Sequence, residues 1–432
     1  MGKLKRFFSV VLIAPMVMCL SSCKSDDTEF TGFIPKLQTD TEATINVVGE
    51  YSNFESLEEE FERFYEYYPH VSLRYTHLDD YQNSVVNALA GEEAPDIYVT
   101  GSWMLDDEKY ASVFESAEVL SDKSLELDLS CLRPEIINKT GSGEIVMLPI
   151  FTSSYGMLVN MDIFKEQNLS VPETYSELMD TCEKLKAAGY DSPIMGADTT
   201  TVSGIFYSFA YPMFSDNVIK NSDRVEALNS MDPSAGELLR PSLTRLQDLI
   251  DSGYIDIEKC SREIEDDYNS VILRFFEGDV PIMIGSGNMV SGTAKRESQS
   301  EAFTANPFEY KFFVAPAGDD GGYFLNSVVL FFSVNKNSAN LDMTNEFIRF
   351  LCSEKELGNM AERKRMIPPT DDFTLDEVYS SLADVPADHR FSFNQTGTND
   401  QVTKEFREAA YRVGNGMMTV DEAVSAFGSL GQ

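Results

Sequence analysis

The chain has 432 residues, 43% of them hydrophobic and 11% aromatic, with a formal net charge of −37. That much apolar content buries a core too large for one ordinary domain, so two lobes are expected. A field this negative repels phosphate backbones and anionic lipid surfaces, which excludes nucleic acid as a partner and disfavours acidic ligands. Neutral and cationic solutes stay open, and much of the Asp and Glu does no more than keep the surface soluble.

Taken from the start, Lys3, Lys5 and Arg6 precede an apolar run from Phe7 to Leu20 broken by Pro15, then Ser21 and Ser22. This is the layout of a secretory signal over residues 1–22. A spanning helix needs roughly 20 apolar residues, so the run is too short for a retained anchor. Leu20-Ser21-Ser22-Cys23 resembles the bacterial lipobox, which implies a leader cut before Cys23 and a lipid on that cysteine. Loss of three cations with the leader takes the charge from −37 to −40. Each buried lipid methylene contributes about 0.8 kcal/mol, enough for acyl chains to hold a soluble body at the outer face of the cell membrane. Residues 23–43, charged and rich in turn formers, read as a flexible tether.

Order begins at TINVVGEY, a β-rich stretch. SLEEEFERFYEYYP then places Leu57, Phe61, Phe64 and Tyr68 at helical spacing and stops at Pro69. A strand VSLRYTHL, a helix YQNSVVNALAGEE and a strand PDIYVT follow. Strand, helix, strand, helix, strand predicts an α/β layer around a parallel sheet, whose ligands sit beyond the carboxyl ends of the strands. Those ends carry Glu50, Tyr51 and Asn53, then His77 to Tyr81, then Ser102 and Trp103. Four cysteines belong to the body. Cys182 falls with Leu178 and Leu185 on one helical face, and Cys352 follows Phe347, Ile348 and Leu351, so both read as core. Nothing in the spacing decides whether Cys131 and Cys260 pair.

Longer stretches carry a resemblance. EIVMLPIFTSSYGMLVNMDIFKEQNLSVPETYSELMDTCEKLKAAG, FFEGDVPIMIGSGN, NKNSANLDMTNEFIRFL, MIPP and NGMMTVDEAVSAF stand in the order of comparable segments in family 1 extracellular solute-binding proteins. These are the maltodextrin-binding type of receptor for ABC importers, and the similarity runs from about residue 44 to 427. It implies a two-lobed periplasmic-binding-protein fold, α/β, each lobe a sheet flanked by helices and joined by crossing hinge strands. The lobes are expected at 44–152 with 328–357, and at 153–327 with 358–432. It further implies a monomeric, non-enzymatic receptor without cofactor that closes on a small-molecule solute, most often a saccharide, and delivers it to permease subunits.

Sugar receptors lay aromatic faces under pyranose rings and order the hydroxyls with amides, hydroxyls and carboxylates. The candidate ligand set is therefore Glu50, Tyr51, Asn53, Tyr81, Ser102 and Trp103 on one side. Ser153, Ser154, Tyr155, Tyr207, Ser286, Asn288 and Tyr323 stand on the other. Packing is the commoner role for any one of these tyrosines. The family often places Trp just after the glycine of the strand containing Gly285; Ser286 and Gly287 stand here, so that platform is missing and backbone N–H groups with Asn288 are expected to bind instead. Trp103 is the only tryptophan. No HExxH, Gly-x-Ser-x-Gly or phosphate-loop motif occurs, and His77 with Asp79 and Asp80 reads as a solvated loop rather than a metal site. A cationic ligand such as a polyamine and a tethered glycoside hydrolase with two cleft carboxylates are the alternatives.

Overall fold

The computed structural model describes residues 32–105, 107–265, 268–371 and 375–431. The expected signal, Cys23 and the first part of the tether lie outside them. The described strands are β1 Ala43–Gly49, β2 Val71–His77, β3 Ile97–Thr100, β4 Leu148–Ser153, β5 Tyr155–Asn160, β6 Ile194–Met195, β7 Ile282–Ser286, β8 Tyr310–Phe313, β9 Phe324–Val334 and β10 Arg390–Ser392.

β1 lies between β2 and β3 and parallel to both, and helices Glu55–Tyr65 and Tyr81–Ala90 make the crossovers. Phe61 and Phe64, a helical turn apart on the first of these, pack on Phe347 of helix Leu341–Leu351, and Phe64 also meets Phe350. The sheet is not wholly parallel as its first three strands suggest. β9 runs antiparallel to both β3 and β4. The reason is topological: β9 arrives from the second sheet and enters at the carboxyl ends of β1 and β3, so it has to run against them. β10 pairs in parallel with the first residues of β9.

The second sheet has the order β6-β7-β5-β8, with β5 antiparallel to both neighbours. β4, β5 and β7 are buried at every position, as expected of strands covered on both faces. Helix Tyr175–Ala187 opens with a reciprocal cap between Thr174 and Glu177 and buries Leu178, Cys182 and Leu185. The helical face inferred for Cys182 is thus its observed one.

Three passages join the layers. β4 runs straight into β5 at Ser153–Tyr155, the chain returns between β8 and β9, and it crosses again after helix Glu354–Lys364. That helix stays on the first lobe beyond residue 357. Arg63 of the neighbouring helix donates to Glu356 at 2.8 and 2.9 Å, and Arg363 donates to Glu60 at 2.8 Å. The residue after the helix, Arg365, turns left-handed (φ 47°) and reaches the second lobe, donating to Thr293 at 2.9 Å and Glu297 at 3.1 Å. Ile367 and Thr152 then exchange backbone hydrogen bonds of 2.9 and 3.1 Å, which ties the third passage to the first. Residues 35–42, expected to be tether, are already held on the body: the Lys36 N–H donates to Glu346 at 2.8 Å and that of Leu37 to the Tyr68 hydroxyl at 3.2 Å. No helix among the described residues is long and apolar enough to cross a membrane.

Candidate functional site

β9 runs past the end of β3, and that mismatch makes the site. β3 stops at Thr100, opposite Phe331, while β10 reaches β9 only at Phe324–Asn326. On the β3 side, residues 327–330 of β9 therefore have no paired strand, and Ser327, Val328 and Val329 are half-exposed in a strand otherwise buried. This stretch of β9, uncovered on one edge, forms a floor where the chain passes between the two lobes, and its Ser327 hydroxyl hydrogen-bonds the Tyr155 phenol. β4 covers the other edge, Ser153 opposite Ser327.

On the first-lobe side stand the carboxyl ends of β1 and β3. Trp103 sits in the 3-10 turn Ser102–Met104, its indole folded back over Gly101, where any Cβ would collide with it. Its edge meets Tyr110 at 5.2 Å and 88°, yet 41% of the residue is exposed. This is an anchored indole with free surface. Glu50 is solvent-accessible, and burial nonetheless holds its carboxyl above the ordinary range. Its charge is felt by the phenols of Tyr75 and Tyr81, both pushed up chiefly by burial, Tyr75 to about 12. Tyr75 accepts the Tyr51 N–H at 3.1 Å and lies directly over Gly49, which leaves no room there for a side chain. Tyr81 is buried and donates to the Val99 carbonyl at 2.8 Å, a structural bond. Asn53 is exposed and donates to Glu55 at 3.0 Å. The Lys364 ammonium stands 4.9 Å above the Tyr51 ring, its pKa lowered by burial.

On the second-lobe side, Tyr155 pairs with Ser286 and the Gly287 N–H donates to the Ser154 carbonyl at 2.7 Å. That N–H is thereby taken. A Cβ on Gly287 would stand 2.6 Å from the Ser153 hydroxyl oxygen, which gives the physical reason why no indole platform grows from this turn. The Ser203 and Ser286 hydroxyls lie 3.1 Å apart, and Val202 beside them is 39% exposed. Asn288 opens helix Asn288–Gln299, half-buried. The remaining tyrosines sit behind this wall. Tyr207 is stacked on Tyr211 at 4.3 Å and meets Tyr155 edge-on at 5.4 Å, all three buried. Tyr323 is packed against His389 at 5.0 Å and donates to Asp320 at 2.9 Å. Of the candidates, Glu50, Tyr51, Ser102 and Trp103 stand just beyond the carboxyl ends of β1 and β3, and Ser153, Ser154, Ser286 and Asn288 at the β4–β5 junction and the end of β7, while Tyr81, Tyr155, Tyr207 and Tyr323 are buried.

Tyr75, Lys364, Ser203 and Ser327, which touch the candidates Tyr51, Ser286 and Tyr155, are neighbours that the sequence reading missed. Only Ser327 carried a local signal, as a serine inside a long apolar strand. His77 meets Asp79 at 3.1 Å in an exposed loop, and no group of three metal-binding side chains occurs among the described residues. A polar hollow of about 230 Å³ lined by Asn160, Asp162, Gly278 and Phe308 lies at the far end of β5, away from the cleft.

Comparison with solved structures returns two-lobed receptors over nearly the whole chain. RafE from Streptococcus pneumoniae, in its apo form, is 17% identical with a TM-score of 0.69, covering 90% of this chain and 98% of its own. The sugar-binding protein MalE from Xanthomonas citri is 16% identical with a TM-score of 0.67, covering 89% and 95%. The GacH receptor of Streptomyces glaucescens is 18% identical with a TM-score of 0.65, covering 90% and 97%. At such identities the likeness is one of fold. Among curated proteins, none matches by sequence. Residues 49–357, more than half the chain, match the family described as bacterial extracellular solute-binding protein. With two α/β lobes, three crossing passages and a floor open between them, the chain belongs to that extracytoplasmic family of binding proteins, which hold solutes and do not transform them.

Proposed function

We propose that the protein is a lipid-anchored receptor that captures an oligosaccharide between its lobes and presents it, closed, to the permease of an ABC importer. The observation that carries the sugar reading is Trp103, an anchored indole left 41% exposed at the carboxyl end of β3, just where β9 runs on with one edge uncovered. Hydroxyls and backbone groups exchange hydrogen bonds with sugar hydroxyls, and an indole face covers C–H surface. Similar folds have been solved with raffinose, stachyose and acarbose bound, which supports the same class here. The lobes are read as 44–152 with 328–357 and 153–327 with 358–432, and the ties of helix Glu354–Lys364 to helix Glu55–Tyr65 support carrying the first lobe on to Lys364. Closure is a bend of these passages, and the protein acts as a monomer. Lipid on Cys23 keeps it at the importer's effective concentration. Cys23→Ser is expected to move the folded protein from the membrane fraction to the soluble one; retention on the membrane would remove the tether from this account.

A cationic solute is the second reading, favoured by the accessible Glu50 carboxylate at the end of β1. Lys364 beside Tyr51 works against it. Thermal shift with raffinose-type and maltodextrin saccharides, polyamines and short peptides separates the two. A ligand at 100 times Kd stabilises by about 2.7 kcal/mol, and a response to polyamines without one to sugars would replace the first reading with the second.

A further inference from the structure

Cys131 and Cys352 are far apart in sequence and adjacent in space. Cys131 ends the 3-10 turn Leu129–Cys131 capped by Asp128, and Cys352 caps helix Leu341–Leu351. One atom links them: the Asp128 carbonyl oxygen accepts the Cys131 N–H at 3.4 Å and the Cys352 thiol at 3.5 Å. The two residues are 6% and 2% exposed. The Cys131 thiol beside it, together with burial, holds the Cys352 thiol up. The other body cysteines lie elsewhere: Cys182 inside helix Tyr175–Ala187, and Cys260 against the Gly196 backbone and Asp198 of the second lobe.

We propose that Cys131 and Cys352 are a disulfide site, closed when the chain folds in the extracytoplasmic compartment. Its family places the chain outside the cytoplasm, where disulfides form and persist. The oxidant is a molecule that itself carries a disulfide. One cysteine thiolate attacks it, forming a mixed disulfide and releasing one thiol; the second cysteine displaces the other sulfur. Two protons leave the pair, its two electrons reduce the oxidant to two thiols, and one S–S bond forms. Burial covers both sulfurs and the raised pKa of Cys352 starves that thiol of thiolate, so exchange belongs to folding and the finished bond is shielded from reductants.

The bond would lie within the first lobe, where it does not cross the cleft. It would fasten the turn to the hinge's support, since the Cys131 carbonyl accepts the Asp371 N–H at 3.1 Å and the Arg133 N–H reaches the Pro369 carbonyl at 3.0 Å. The full chain, refolded with oxidised and reduced glutathione, trapped with N-ethylmaleimide under denaturing conditions and digested without reductant, tests this. The expected product is a cross-linked peptide pair containing Cys131 and Cys352, two mass units lighter than the separate thiol peptides, with Cys182 and Cys260 carrying the label. Label on both Cys131 and Cys352 overturns the proposal. So does either of them bonded to another cysteine. Cys352→Ser controls for placement: its Cys131 should become fully labelled.

Discussion

Trp103 and Lys364 mark how much a single residue reveals of its role. Trp103 was legible because a strand's carboxyl end is readable from local pattern, and its anchored, part-exposed indole suits a sugar face. Lys364 was not, since its contact with Tyr51 joins segments more than 300 residues apart, and no window of sequence holds both. Tyr207 and Tyr323 fell among the candidates because spacing shows that an aromatic is present and says nothing of whether Tyr211 or His389 already covers it. Replacing Trp103 with Ala should cost about 1 to 3 kcal/mol of binding, roughly tenfold or more in affinity, while the melting temperature changes little. Titration of the variant with a saccharide that binds the native protein checks this. Unchanged affinity with lowered melting would make Trp103 a packing residue against Tyr110.

At the scale of elements, the helix pair Glu55–Tyr65 and Glu354–Lys364 shows what amphipathic pattern conveys and what it omits. The apolar stripe of the first helix, Leu57, Phe61 and Phe64, is where the spacing put it. Glu60 looks like part of the solvated face, yet it is 0% exposed and shares a cluster with Glu356, Glu59, Arg63 and Arg363. Burial first, then the Glu356 carboxylate, pushes the Glu60 pKa up to about 8. The Arg63 guanidinium and its bond to Glu60 outweigh burial at Glu356, holding it below its ordinary value, so one proton sits on Glu60 between them. An unfolded Glu titrates near 4.3. Folding therefore takes up a proton between about pH 4.3 and 8, and this contribution, complete below that window, is lost as pH rises through 8. Melting temperature should fall from about pH 5 to about pH 8 and level off above that. Glu60→Gln, which keeps the donor and cannot ionise, should flatten that slope; an equally steep fall in the variant would locate the titrating group elsewhere.

For the whole molecule, the two-layer architecture was legible because hydrophobic period and strand order repeat over long segments, while the direction of β9 was not, since it depends on where a returning chain enters the sheet. The joining of the three passages lies in the same blind spot. Arg133 reads as one more charged loop residue, but its buried guanidinium donates to the Thr370 carbonyl at 3.0 Å, the Thr152 hydroxyl at 3.0 Å and, with the amide turned to satisfy both groups, the Asn326 oxygen at 3.0 Å. Those oxygens belong one each to the third passage, the first and the start of β9, so one side chain fastens all three joints between the lobes. Burial pushes its pKa down to about 10, with Glu135 at 3.6 Å as its ion-pair partner, so the cation persists at neutral pH. Arg133→Met fills similar length and removes the donors, leaving buried acceptors that cost about 1 to 3 kcal/mol each when unsatisfied. The variant should melt lower, and if the guanidinium sets how far the lobes part, its ligand-free radius of gyration by X-ray scattering should rise above that of the native protein. A bound sugar bridging both lobes supplies its own closing contacts, so the ligand-bound radius should be the same in both and smaller than either free one. Equal free radii with only a lowered melting temperature would confine Arg133 to the packing of the first lobe, and a native radius that did not shrink at saturation would remove closure itself.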